Sequence, residues 1–457
     1  MFGLRSVTPP GPRGWWLMAA SLGLFFGWLL AFPMGGPLLG ALGGSDGGLA
    51  PALAFTAGHA AGLLLSGMLL RPGPTLGSLP AAAALACGAL TAAAPHLPGP
   101  LLGPFLGLLG LAAAPFPAAW GAGLAAWVPQ RWRARTVAAG AVGANLLLLA
   151  FQLAGPTGPA ALYALVPLPV AGAALYLAWW RRARPPRPVR VLVGPAFGQR
   201  AQLGLGGFVV AVYLVGGVLY GAIQPYYASI AGATALGLLP YLAGAALAGI
   251  VADRAGRRPV GIAAPSVLGL AFPLFLLDRD RQAWAAVQAP VMLGFGLADV
   301  YFWAVLADVG SLYGGLKSFG FGLGLMVAAI GAGMWAVGQL AAGPDVRLGA
   351  AAVATAAIFL GAPLGAAVPE TLGQVRAVVL PPEKLVFRLA TFGLTERELD
   401  VARHLLAGTE FNEIAARLGV SKNTLKSHVR NIYAKTGARS RHELILAALR
   451  AEELSEA

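Results

Sequence analysis

The chain has 457 residues, 58% of them apolar and only 11% charged, with a mean hydropathy of +0.72. Soluble domains lie nearer a quarter charged, so a single water-soluble globule is excluded and a protein crossing the bilayer several times is expected. The net charge of +14 is unevenly held, since residues 1–391 carry 22 Lys/Arg against 9 Asp/Glu and residues 392–457 carry 10 against 9. One cysteine, Cys87, excludes an intrachain disulfide and any multi-cysteine metal site.

About 20 apolar residues cross a bilayer as helix. Runs of that order fall near 15–32, 49–70, 78–94, 101–128, 136–155 and 160–180, then near 203–230, 235–251, 260–277, 284–307, 319–342 and 348–368. The first is too long for the apolar core of a signal peptide. Six spans are thus separated from six by RRARPPRPVR at 181–190. The expected fold class is all-α: a six-span bundle over 1–190, a second over 191–370, a linker over 371–391 and a small four-helix domain over 392–457. His59, alone in its span, is read as a packed polar residue rather than a ligand.

Loop charges fix an orientation. With the N-terminus in the cytoplasm, sixteen basic residues fall on inside segments before the tail and three, Arg279, Arg281 and Arg347, fall outside. The positive-inside rule then places both termini in the cytoplasm, across a bacterial inner membrane. The arginines of 181–200 hold the central loop inside; contact with lipid or a partner is their alternative use.

Between the eighth and ninth runs lies GIVADRAGRRPVG, with Gly249, Asp253, Arg254, Gly256, Arg257 and Arg258. Glycines allow a tight turn between close helices, and an Asp there accepts from a helix N-terminus or an arginine. A generic basic loop explains the arginines but not the Gly/Asp/Gly spacing. The stretch resembles the gating-loop signature of the major facilitator superfamily. That resemblance implies two six-helix bundles rocking about a central cavity. The matching loop between the second and third runs, GMLLRPGPTLG, has Arg71 but no acid and no Arg pair, so half of the signature is missing.

From Phe392 the composition becomes that of a soluble domain. Thr395 and Glu398 form a capping box ahead of Leu399, Ala402, Leu405 and Leu406. Ile414, Ala415 and Leu418 follow on a second helix, with Gly419 at the turn. On the third, Leu425, Val429 and Ile432 make an apolar stripe, and Lys422, Lys426 and Arg430 an exposed basic one. Residues 421–441 hold six Lys/Arg and no acid, as phosphate neutralisation and base reading in a major groove require. A merely solvated helix usually mixes Glu among its lysines. The stretch LTERELDVARHLLAG…NEIAARLGVSKNTLKSHVRNIYAKTGARSRHELI resembles the DNA-binding domain of LuxR-type bacterial regulators. By that resemblance Lys426, Ser427 and Arg430 contact bases, while Lys422, Asn423, Thr424, His428 and Lys435 contact phosphates. It also assigns the dimer contact to the fourth helix, at Leu444, Ile445, Ala448 and Leu449.

Asp299 lies well inside the tenth run, and an ionisable group there is a functional-site hypothesis by default. Phe295 and Trp303 lie one turn to either side, and Asn145 and Gln224 on other spans extend the lining toward a cationic or hydrogen-bonding aromatic ligand. The alternative is that Asp299 only makes an interhelical hydrogen bond.

The expected function is a membrane-embedded one-component transcription regulator. A transporter-like domain senses a small molecule and controls binding of double-stranded DNA by a tail that pairs as a homodimer. The rival is an active transporter with a regulatory DNA-binding tail. The carboxylates are scattered, no histidine pairs with a nucleophile and no phosphate-binding loop is present. No enzyme activity, cofactor or metal is expected.

Overall fold

The computed structural model describes residues 14–448 apart from 40, 41, 43–48, 72–74, 156–158, 183–188, 194–198, 231, 279, 341–345, 374, 375, 381, 407, 408, 410, 439–442, 445 and 446. The chain divides into two compact units: 1–183 with 197–372, and 184–196 with 373–457. The central loop expected to divide two bundles thus falls in one unit with the tail, and the membrane helices form a single unit.

Without water to solvate backbone amides, apolar runs satisfy them internally as helices. The membrane unit contains α1 (Trp15–Ala31), α2 (Leu49–Leu69), α3 (Thr75–Ala93), α4 (Gly99–Ala113), α5 (Pro115–Trp127), α6 (Gln130–Ala154) and α7 (Pro167–Arg182). It continues with α8 (Gln199–Val218), short α9 (Gln224–Tyr227) and α10 (Ala233–Leu236), then α11 (Leu238–Arg254), α12 (Arg257–Leu277), α13 (Trp284–Tyr313), α14 (Gly315–Leu340) and α15 (Val346–Gly373). The expected runs coincide with these helices. Nine spans among the described residues are individually long and apolar enough to cross a membrane, and α1 is a shorter apolar helix. The chain is a multi-pass membrane protein.

Two breaks have local causes. Pro115 and Pro117 separate α4 from α5 within one span. Pro225 lacks the amide that would reach back to Gly221, and the ladder opens into a π-turn over Leu219–Ile223 before α9. Small residues set the helix spacing. A Cβ on Gly320 of α14 would overlap Gly67 of α2, and one on Gly333 would overlap the backbone of α8 near Leu214. His59 is buried and its Nδ1 lies 3.0 Å from Gly110 O, the packed role expected of it.

The second unit departs from all-α in one place. Strands β1 (Val189–Val193) and β2 (Arg376–Leu380) pair antiparallel, Val189 opposite Leu380 and Val193 opposite Arg376. Their sequences, VRVLV and RAVVL, are rich in β-branched residues. Helices α16 (Pro382–Leu389), α17 (Glu396–Leu406), α18 (Phe411–Leu418) and α19 (Lys422–Thr436) follow. The core of this unit takes in Leu385, Val386 and Leu389 with Val401, Leu405, Ile414, Leu425 and Ile432. The domain therefore starts before Phe392, and most of the expected linker is a strand and a helix.

Candidate functional site

Two regions carry chemistry, one in each unit. In the tail, the capping box forms as expected: Glu398 N–H donates to Thr395 Oγ1 at 3.3 Å, and Thr395 N–H to Glu398 Oε2 at 2.8 Å. Gly419, at φ +63°, makes the left-handed turn between α18 and α19. Ser421 caps α19, its Oγ accepting from Thr424 N–H at 3.1 Å. Leu425, Val429 and Ile432 are buried beneath the helix, while Lys422, Asn423, Thr424, Lys426, Ser427 and Arg430 are exposed on it and His428 is half-buried. Lys426 and Arg430 enter no ion pair among the described residues.

Two assignments need correction. Lys435, expected on phosphate, is held internally: its Nζ donates to Glu398 Oε2 at 2.7 Å and to Gly393 O at 3.1 Å. Burial alone would raise the Glu398 carboxyl, but the Lys435 ammonium and the Thr395 amide outweigh it and hold the group below the usual carboxylate range. Leu444 and Ala448, expected on a dimer face, are fully buried in the domain's own core and have no surface to offer a partner. Ile445 and Leu449 lie outside the described residues.

In the membrane unit, Asp299, Phe295, Asn145 and Gln224 line one cavity of about 740 Å³. Trp303 lines an adjoining void of about 110 Å³ together with Asp299 and Asn145. It is largely a core residue, edge-on to Phe26, Trp120 and Phe319 at 5.3–5.7 Å. The aromatic groups at the carboxylate are tyrosines that sequence reasoning missed. Tyr213 of α8 donates to Asp299 Oδ1 and Tyr241 of α11 to Oδ2, each at 2.7 Å. Asp299 therefore faces the cavity and also links two helices. Tyrosines interrupting otherwise apolar spans were the signal available in the sequence.

The cavity wall draws on Pro37 and Leu38 after α1, Gly155 after α6, Pro225 and Gln288. These lie at the end of the unit away from Arg133, early in α6, and Asp308, late in α13. At that other end charge is buried. Arg133 Nη1 meets Asp308 Oδ1 at 2.9 Å, and Arg257 meets Asp308 Oδ2 at 3.0 Å and Asp253 Oδ1 at 2.8 Å. Asp253 also accepts from the amides of Ala134 and Arg135 at 3.2 and 2.9 Å.

The 249–258 stretch thus makes contacts across the two halves of the membrane unit. Gly256 turns at φ +88°, and a Cβ on Gly249 would come within 2.6 Å of Ala138 Cβ. Arg254 and Arg258 are exposed. Arg133 and Asp308 are partners the signature did not reveal, and they lie far apart in sequence.

Comparison with known proteins agrees unit by unit. The family described as bacterial regulatory proteins, luxR family, matches residues 393–448. The nitrate/nitrite response regulator NarP of Escherichia coli (strain K12) is 48% identical over 48 residues, 10% of this chain, which spans 22% of that regulator. A bacterial homologue of the iron transporter ferroportin, solved in an outward-facing state, aligns with 77% of this chain and 97% of its own, at TM-score 0.57 and 13% identity. The proton:xylose symporter XylE, of the major facilitator superfamily, aligns with 79% of this chain and 98% of its own, at TM-score 0.58 and 13% identity. The chain joins a membrane unit of major facilitator fold to a LuxR-type helix-turn-helix domain.

Proposed function

We propose that the protein is a membrane-embedded one-component transcription regulator. Its major-facilitator-like unit binds a small molecule and controls sequence-specific DNA binding by the tail, across the inner membrane of a bacterium with both termini in the cytoplasm. The observation that carries it is the joining, in one chain, of an exposed basic reading helix to a polar cavity around Asp299. Lys426, Ser427 and Arg430 read base edges, and Lys422, Asn423, Thr424 and His428 hold phosphates. One such domain reads a half-site, so the regulator acts as a dimer on duplex DNA, paired through surfaces other than Leu444 and Ala448.

In chain order β1 lies between α7 and α8, and β2 between α15 and α16. On this orientation the charge network faces the cytoplasm and the cavity opens outward.

Reporter fusions after Ala457 and within 33–48 test the arrangement by reporting opposite compartments; a C-terminus outside the cytoplasm contradicts it. The second reading, an active transporter with a regulatory tail, is favoured by the intact buried network around Asp308. Measured uptake or efflux of a compound by the chain without residues 373–457 selects that reading.

A further inference from the structure

Gln288, Met292, Phe295 and Asp299 all line the larger cavity. Their spacing of four, three and four residues places them on one face of α13, with Gln288 about 16 Å from Asp299 along the axis. Asp299 is the only acid on the described wall, and the wall carries no Lys, Arg or His. Its carboxylate is held by two neutral hydroxyls and by no cation among the described residues, so when ionised it has no counter-charge on the wall of the cavity.

Gln288 is 6% exposed, and its Oε1, like that of Gln152, is buried and accepts no hydrogen bond among the described residues. Both glutamines line the same cavity, as do Tyr213, Tyr220 and Tyr241, whose ring faces attract cations. Buried acceptors without donors await N–H groups from elsewhere. The volume, about 740 Å³, is that of a small-molecule site.

Building on the ligand-site reading of this cavity, we infer that it takes an elongated organic monocation bearing N–H donors. The charge sits beside Asp299 among the tyrosines, and the N–H groups at the far end reach Gln288 and Gln152. An anion of equal size is disfavoured, because it would meet the carboxylate with no basic residue on the wall to balance it.

The test uses the full chain in phosphatidylcholine nanodiscs without DNA, and three probes. Rhodamine 6G is a cation with N–H groups, tetraphenylphosphonium a cation with none, and fluorescein an anion on the same ring frame as the first. We expect rhodamine 6G to bind most tightly and fluorescein least. Asp299→Asn weakens both cations by about tenfold or more, and Gln288→Leu weakens rhodamine 6G several-fold while leaving tetraphenylphosphonium unchanged. Asp299→Glu restores the carboxylate and with it cation binding, which separates loss of charge from loss of packing.

Equal cation affinity in Asp299→Asn and the unaltered chain overturns the inference. So does tighter binding of fluorescein, or a loss in Asp299→Glu as large as in Asp299→Asn. The sensor reading fails on a different result: Asp299-dependent cation binding that leaves DNA occupancy by the tail unaltered.

Discussion

Arg133 and Arg257 are buried in the membrane unit against Asp308 and Asp253, whereas Lys426 and Arg430 of α19 stand in solvent over a buried apolar stripe. In the first region charge is structural, since each guanidinium is out of water and tolerable only beside its carboxylate. In the second, the fold rests on Leu425, Val429 and Ile432 and the charges are left for a partner. Removing a charge should therefore damage folding in one region and recognition in the other. Asp299 lies between these cases, because it is tied to Tyr213 and Tyr241 yet faces a cavity.

The largest effect is expected at Asp308. Asp308→Ala strands two buried arginines and should destabilise the membrane unit by about 3–5 kcal/mol, seen as loss of folded protein in denaturant titrations of the full chain. An unchanged midpoint would mean that water reaches this end and the network is not buried. Next is Leu444→Ala, which removes core volume and should cost the tail about 2–5 kcal/mol. If it instead leaves the tail folded and abolishes only pairing, the residue is an interface residue after all.

Recognition effects are smaller. Lys426→Ala and Arg430→Ala should each cost about 1–3 kcal/mol on the specific site while leaving stability unchanged, by gel shifts at two salt concentrations. Equal losses on random and specific DNA would turn both into phosphate contacts. Lys435→Ala should weaken the domain's stability by about 1 kcal/mol, through the unpaired Glu398, rather than its salt-dependent DNA binding.

The same pair sets an acid limit. The folded pKa of Glu398 lies below the ordinary carboxylate value, so its contribution is present above that value and is lost as pH falls through the depressed one. Glu398→Gln should remove that part of the acid unfolding curve; an unchanged curve would sink the assignment.

Legibility differed with the kind of signal. Runs of apolar residues announced the spans, and the alternation of Leu425, Val429 and Ile432 with Lys422, Lys426 and Arg430 announced the reading helix, because both patterns are local. Asp299, Asn145 and Gln224 stood out because polar residues inside spans are few, and they line one cavity with Phe295, while Trp303 is largely core. The tyrosines around Asp299 were missed because the approach of α8 and α11 to Asp299 on α13 is a tertiary fact. Arg133–Asp308 was missed for the same reason: 175 residues separate the partners. Leu444 was read as exposed because an apolar stripe on a terminal helix looks the same whether it faces a partner or its own domain. The β1–β2 pair was legible in VRVLV and RAVVL, but arginines at 181–190 drew the reading toward topology instead.

In a one-component regulator the membrane unit governs what the tail does on DNA. Chromosomal occupancy by the full chain, mapped by crosslinking and immunoprecipitation at matched protein levels, compares the unaltered chain with Asp299→Asn. The substitution leaves every residue of the tail in place. Occupancy is expected to change by about fivefold or more at the same sites, the scale of a coupling free energy between sites. Identical occupancy in the two chains would contradict it, and the tail would then bind DNA independently of the cavity.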